Sequence, residues 1–152
     1  MRLTEDREIA FPNLTTGTYR VTSAASSVYN CLAWAACETE AWWWPDAGGD
    51  YYWPSDAPRE ETIEAFVQAY RSAGYTPCPD AKPEPGMEKA AIYADATGNP
   101  THAAKQSESG AWTSKLGNWE DIEHASLSQL QGPGSPYGTV VQVLKRPRRV
   151  SR

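Results

Sequence analysis

Histidine is scarce in this 152-residue chain, with only His102 and His124. Cysteine is nearly as rare. Cys31, Cys37 and Cys78 form no C-x-x-C pair, and with so few histidines they fit no familiar zinc spacing. Their odd number argues against a disulfide framework and for a reducing compartment. Asp46, Asp50 and Asp56 lack the spacing of a calcium loop, so neither a metal nor a cofactor is expected. Long apolar runs are missing too. Nothing approaches the ~18 apolar residues of a membrane span, and Met1 to Glu8 has no apolar core of the kind a secretory signal carries. A cytoplasmic protein with no membrane partner is the expectation. Positive charge is not in excess: 14 Lys and Arg stand against 19 Asp and Glu, for a net charge of −5. That balance excludes nucleic acid as the expected partner. The basic Lys145-Arg146-Pro147-Arg148-Arg149 reads as a solvated tail after the last strand.

Aromatic residues of the larger kinds are plentiful: seven Trp and eight Tyr against two Phe. Six of them crowd into Trp42-Trp43-Trp44-Pro45 and Tyr51-Tyr52-Trp53-Pro54, a stretch that its prolines and glycines mark as a loop. Six rings cannot all face water, so the loop covers a core or walls a cleft. A single domain over 1–152 is expected, with its core at about 20–145 and the tail at 145–152. A central helix is predicted over Ser27 to Ala41, capped by Ser26 or Ser27. A second spans Arg59 to Ala73, with Ile63, Phe66, Val67 and Tyr70 on one stripe and Gly74 as its stop. Three strands follow at Glu88–Ala94, Thr101–Gln106 and Ala111–Gly117, joined by turns at 95–100 and 107–110. Asn118 to Gln131 reads as loop and short helix, and Tyr137–Leu144 as a last strand. Helix first and antiparallel strands after is an α+β order.

Chemistry points to Cys31. It opens an apolar helical stretch, where backbone N–H groups favour a thiolate. A nucleophilic Cys needs a base, and His102 lies on a predicted strand in Thr101-His102-Ala103-Ala104-Lys105-Gln106. A turn at 107–110 would set His102 opposite Ser114 or Lys115, according to register. Ser114 can accept from a ring N–H; Lys115 cannot. Gln106 and His124 are further candidates to orient the ring. An oxyanion hole needs the Cys31 N–H and one side chain, for which Asn30, Tyr29 and Tyr19 are candidates. Trp43 and Trp44 could wall a substrate cleft. Cys37, six positions beyond Cys31, reads as core filler.

The set Tyr29-Asn30-Cys31-Leu32-Ala33-Trp34-Ala35, Thr101-His102-Ala103-Ala104-Lys105-Gln106 and Trp112-Thr113-Ser114-Lys115-Leu116-Gly117 resembles a family of uncharacterised bacterial proteins over about residues 29–145. In order and spacing it also resembles, more distantly, the papain-like cysteine hydrolases, especially the NlpC-type and CHAP-type. That second resemblance implies a papain-like α+β fold, with an N-terminal helix packed on an antiparallel β-sheet. It implies Cys31 as nucleophile, His102 as base and a polar residue on the next strand, here Ser114, to orient the base. The implied function is hydrolysis of a peptide or other amide-containing substrate through a thiolate–imidazolium pair. The competing expectation is a non-catalytic protein-interaction module using the Trp-rich loop 42–53.

Overall fold

The computed structural model describes residues 3, 10–14, 19–116, 119–131 and 135–148. Seven strands form one sheet: β1 (Tyr19–Ser23), β2 (Thr76–Cys78), β3 (Met87–Ala94), β4 (Pro100–Gln106), β5 (Trp112–Lys115), β6 (Asp121–His124) and β7 (Thr139–Pro147). Their order is β1-β6-β5-β4-β3-β7-β2, and every pairing is antiparallel. The helices are short: α1 (Cys31–Ala35), α2 (Ile63–Ser72) and a 3₁₀ turn at Leu127–Leu130. This overturns the expected papain-like α+β fold with an N-terminal helix. The sheet dominates, and the predicted central helix shrinks to five residues.

Local chemistry explains the shrinkage. Ser26 and Ser27 do not start the helix; Ser26 Oγ instead accepts from the Val28 N–H in a local turn. Asn30 is the cap, its Oδ1 accepting from the Ala33 N–H at 3.2 Å. At the other end Cys37 takes a left-handed φ of 66°, which a helix cannot continue through. A helix this short leaves most of its carbonyls without helical partners. Two buried tyrosines supply donors: Tyr70 to Leu32 O at 2.9 Å and Tyr75 to Ala35 O at 2.8 Å. Helix α2 carries the expected stripe but begins at Ile63, because the Thr62 side chain caps it by accepting from the Ala65 N–H.

The meander β3–β4–β5 lies where the alternation placed it. Strand β6 replaces the predicted loop, with Ile122 buried between β1 and β5. Strand β7 runs on through Lys145, Arg146 and Pro147, so the start of the expected solvated tail belongs to the sheet; residues 149–152 lie outside the described residues. Arg146 is buried, ion-paired to Glu88 and stacked over Tyr75. Edge strand β2 has three residues, one of them Pro77.

Each sheet face has its own core. One face packs α1, α2 and the aromatic loop against Ala90, Ile92 and Ala103. The other packs Phe11, Leu14, Tyr93, Trp112, Ile122 and Leu130. Two local features open the sheet where α1 meets it. Strands β4 and β5 share only the rungs Lys105↔Thr113 and Gln106↔Trp112. The β3–β4 register also slips between Tyr93 and Ala94, leaving Thr101 as an extra residue in a bulge. Among the described residues no helix is long and apolar enough to cross a membrane.

Gly138, at φ 76°, enters β7, and a Cβ there would lie 2.0 Å from the Ala94 carbonyl oxygen. Gly138→Ala should therefore cost at least about 2 kcal/mol in urea unfolding. Gly98→Ala, at φ 86° with open space around it, should cost roughly 1 kcal/mol.

Candidate functional site

Cys31 is the first residue of α1 and is buried. Burial pushes its thiol up to about 11, against the opposing pull of the Ala103 N–H, the Leu32 N–H, the Lys115 charge and its own N–H. Cys31 therefore rests as a thiol, with donors arranged to favour an anion once one forms. Above it lies a cavity of about 310 Å³, lined by Asn30, Cys31, Trp42, Trp44, Tyr51, Thr101 and Tyr137.

His102 stands one residue before Ala103. By strand alternation its side chain shares the other face with Tyr93, and its ring stacks on Tyr137 at 3.9 Å and 8°. His102 Nε2 is 3.0 Å from Ser114 Oγ, and Ser114 Oγ is 2.8 Å from His124 Nε2. His124 Nδ1 is 2.9 Å from the Ser126 carbonyl oxygen. A carbonyl only accepts, so His124 carries its proton on Nδ1. Burial pushes His124 down to about 4, so its Nε2 is a bare acceptor at neutral pH. Ser114 must then donate to His124 and accept from His102 Nε2–H. The remaining ring nitrogen, His102 Nδ1, is consequently unprotonated, and it is buried without a hydrogen-bond partner. Burial, with the nearby His124, holds the His102 ring neutral far below the usual histidine range. The resting pair is thus thiol and imidazole, with no hydrogen bond joining Cys31 to His102 Nδ1.

The other candidates divide. Asn30 is spent on structure: Oδ1 accepts from the Ala33 and Trp43 N–H groups, and Nδ2 donates to Trp43 O at 2.6 Å. It holds Cys31 in place and has little left for an oxyanion. Trp43 is buried in the core against Tyr52; Trp44 lines the cavity. Tyr29 donates its hydroxyl to Asp121, and the Tyr19 hydroxyl accepts the Leu3 N–H beside the second core. Gln106 donates to Ala81 O, away from the ring. Lys115 is buried on the α1 face, donating to Ser26 O and lying over Tyr29. It does not orient His102, but it is the cation nearest in effect to Cys31. Cys37 is exposed, contrary to its reading as core filler, and contacts Lys105 and Arg146.

Sequence reasoning missed Thr101 and Tyr137 as cavity residues. Thr101 comes into the cavity through the bulge, and its hydroxyl donates to Tyr137 O at 2.6 Å. Asp121 was missed because β6 was read as loop. It accepts from both Ser23 and Tyr29, while its Oδ1 is buried without a partner. Asp121 stands opposite Ser23 on β1 and opposite Lys115 on β5. Among the described residues no three His, Cys, Asp or Glu side chains converge as metal ligands.

A family described as a domain of unknown function, DUF7689, matches residues 20–145. The chain belongs to the DUF7689 family. The match takes in Asn30, Cys31, His102, Ser114, Asp121 and His124, so the cavity and the histidine chain both lie inside the DUF7689 domain. No curated protein and no solved structure matches the chain.

Because His124 is held neutral when folded but titrates near 6.5 when unfolded, the unfolded state binds more protons between those values. Stability should be complete above about pH 6.5 and fall as the pH drops toward 4, by roughly 3 kcal/mol from this group. Urea unfolding at pH 7, 6, 5 and 4.5 reads this, and His124→Gln should remove this share of the slope while leaving the share of His102, which is also held neutral.

Proposed function

We propose that this DUF7689 domain is a cysteine-dependent hydrolase or acyl-transfer enzyme acting on amide-type or ester-type carbonyls. Cys31 is the nucleophile, His102 the general base, and Ser114 with His124 the chain that orients the base. The observation that carries this reading is the directed chain from Ser126 O through His124 and Ser114 to His102, which ends in a bare Nδ1. A buried acceptor without a partner costs about 1–3 kcal/mol. A base must keep such a lone pair free, which gives the cost a function.

The chemistry follows from the resting state. Cys31 keeps its proton until a carbonyl fills the cavity. As Sγ attacks and the S–C bond forms, the S–H proton passes to His102 Nδ1; because His102 rests on the sheet face opposite Cys31, this transfer requires a shift of the Thr101 bulge or of the Tyr137 ring that lies between them. The imidazolium then protonates the leaving amine or alcohol as the C–N or C–O bond breaks. The second half returns the acyl group to water or to another acceptor by the reverse proton transfers. The N–H groups of Cys31, Leu32 and Ala103, which already favour negative charge at the sulfur, would assist the developing anion.

The burial of Cys31 favours a second reading, in which the thiol is packing and the aromatic cavity binds a partner without chemistry. One experiment separates the two. After incubation with 4-nitrophenyl acetate, mass spectrometry should find the acetyl group on Cys31 at a rate that His102→Ala lowers about 100-fold or more. Ser114→Ala should give a smaller loss. Acylation confined to the exposed Cys37, with Cys31 untouched, would establish the non-catalytic reading instead.

A further inference from the structure

Resting on that reading, we propose that the acyl side of the substrate carries an aromatic or large aliphatic group, and that this group seats in the cavity beside Cys31. The cavity is walled by Trp42, Trp44, Tyr51 and Tyr137, with no charged side chain in its lining. The side chains of Asn30 and Thr101 are already occupied. Asn30 makes three hydrogen bonds within the chain, and the Thr101 hydroxyl is given to the Tyr137 carbonyl. An ammonium or carboxylate entering here would lose its hydration and gain no counter-charge. A phenyl or isobutyl group would exchange water for ring faces. At about 310 Å³ the space is at the small end for ligand pockets, suited to one side chain with its peptide unit rather than to a long chain.

The wall is built in advance. Asp46 accepts the Asp50 and Tyr51 N–H groups, and Arg59 bridges Asp46 to the Tyr51 carbonyl. Trp44 N donates to Tyr52 O and Tyr52 N to Trp42 O, closing the loop on itself. Trp44 is set edge-on against Phe66 at 5.7 Å. The Asp46 charge is thus met by Arg59 within this bracing, and the rings need no ordering when a ligand arrives. The larger cavity of about 420 Å³, between the 83–87 loop and the β4–β5 turn, is different in kind. It is lined by Glu84, Glu108 and Arg148, and does not reach Cys31.

The test compares two chloromethyl ketones that differ only in side chain, N-tosyl-phenylalanyl and N-tosyl-lysyl, each rate divided by that reagent's rate with glutathione. Cys31 labelling, followed by mass spectrometry, should be about tenfold or more faster with the phenylalanyl reagent. Trp44→Ala should remove most of the preference, read as the ratio of the two normalised rates within that variant. Equal rates, or a faster lysyl reagent, overturn the specificity while leaving the thiol chemistry standing. A Cys31 that no reagent labels in the folded protein overturns the catalytic reading instead. The cavity is then judged alone, by saturation-transfer NMR on Cys31→Ser with N-acetyl-phenylalanine amide and N-acetyl-lysine amide. Transfer to the phenyl ring, lost in the Trp44→Ala form, upholds an apolar site; transfer to neither amide, or to both equally, rejects it.

Discussion

The side-chain amide of Asn30 is the joint on which the candidate site depends. It is buried, and it makes three hydrogen bonds in two directions. One caps α1 and so places Cys31 at the first turn. The other two clamp the backbone of Trp43 and so fix where the aromatic loop crosses the helix. Replacing either atom of the amide would leave a buried backbone group without its partner, at a cost above the loss of one ordinary hydrogen bond. A polar group here specifies geometry as well as stability, because no apolar side chain of similar size could satisfy the donor and the acceptor of the same residue.

The other organising feature is a line of hydrogen bonds whose polarity can be read outward from a single carbonyl. Ser126 O fixes the tautomer of His124, which fixes the hydroxyl of Ser114, which fixes the tautomer of His102. Burial supplies the second condition by keeping both rings neutral. The sheet supports the line mechanically. Ser114 and His124 sit on the paired strands β5 and β6, and His102 on β4 beside the bulge. The tyrosine ring of Tyr137, stacked on His102 and also lining the cavity, joins the two faces of the sheet at this one place.

Much of this was legible in the residues, and the failures have physical causes. The meander β3–β5 followed from alternation with turn residues between the strands, and α2 from one apolar stripe. Ser114 was legible as a partner of His102 because a hydroxyl can accept where an ammonium cannot. The length of α1 was misread because Leu32 to Ala36 favour helix by composition, while its ends are set by Asn30 and by the left-handed Cys37. Neither leaves a periodic trace. Strand β6 was missed because Asp121-Ile122-Glu123-His124 carries a single apolar residue, and its burial comes from partners on both sides. The polarity of the histidine chain needed the distance to Ser126 O, and no pattern encodes that. The charge state of Cys31 was inverted for a related reason: a helix start lowers a thiol only where burial does not outweigh it, and here burial wins.

Among the described residues the seven-stranded sheet ends at β2 on one side and β1 on the other, and it treats these margins differently. At the β2 margin the strand is three residues long and its middle residue is Pro77, which has no N–H to offer. A stray strand arriving there meets a broken ladder. At the β1 margin the register is interrupted between Val21 and Ser23, which twists the strand away from the regular spacing that edge-to-edge recruitment requires. The same irregularities that make these strands hard to recognise also guard the sheet against joining its neighbours into fibrils.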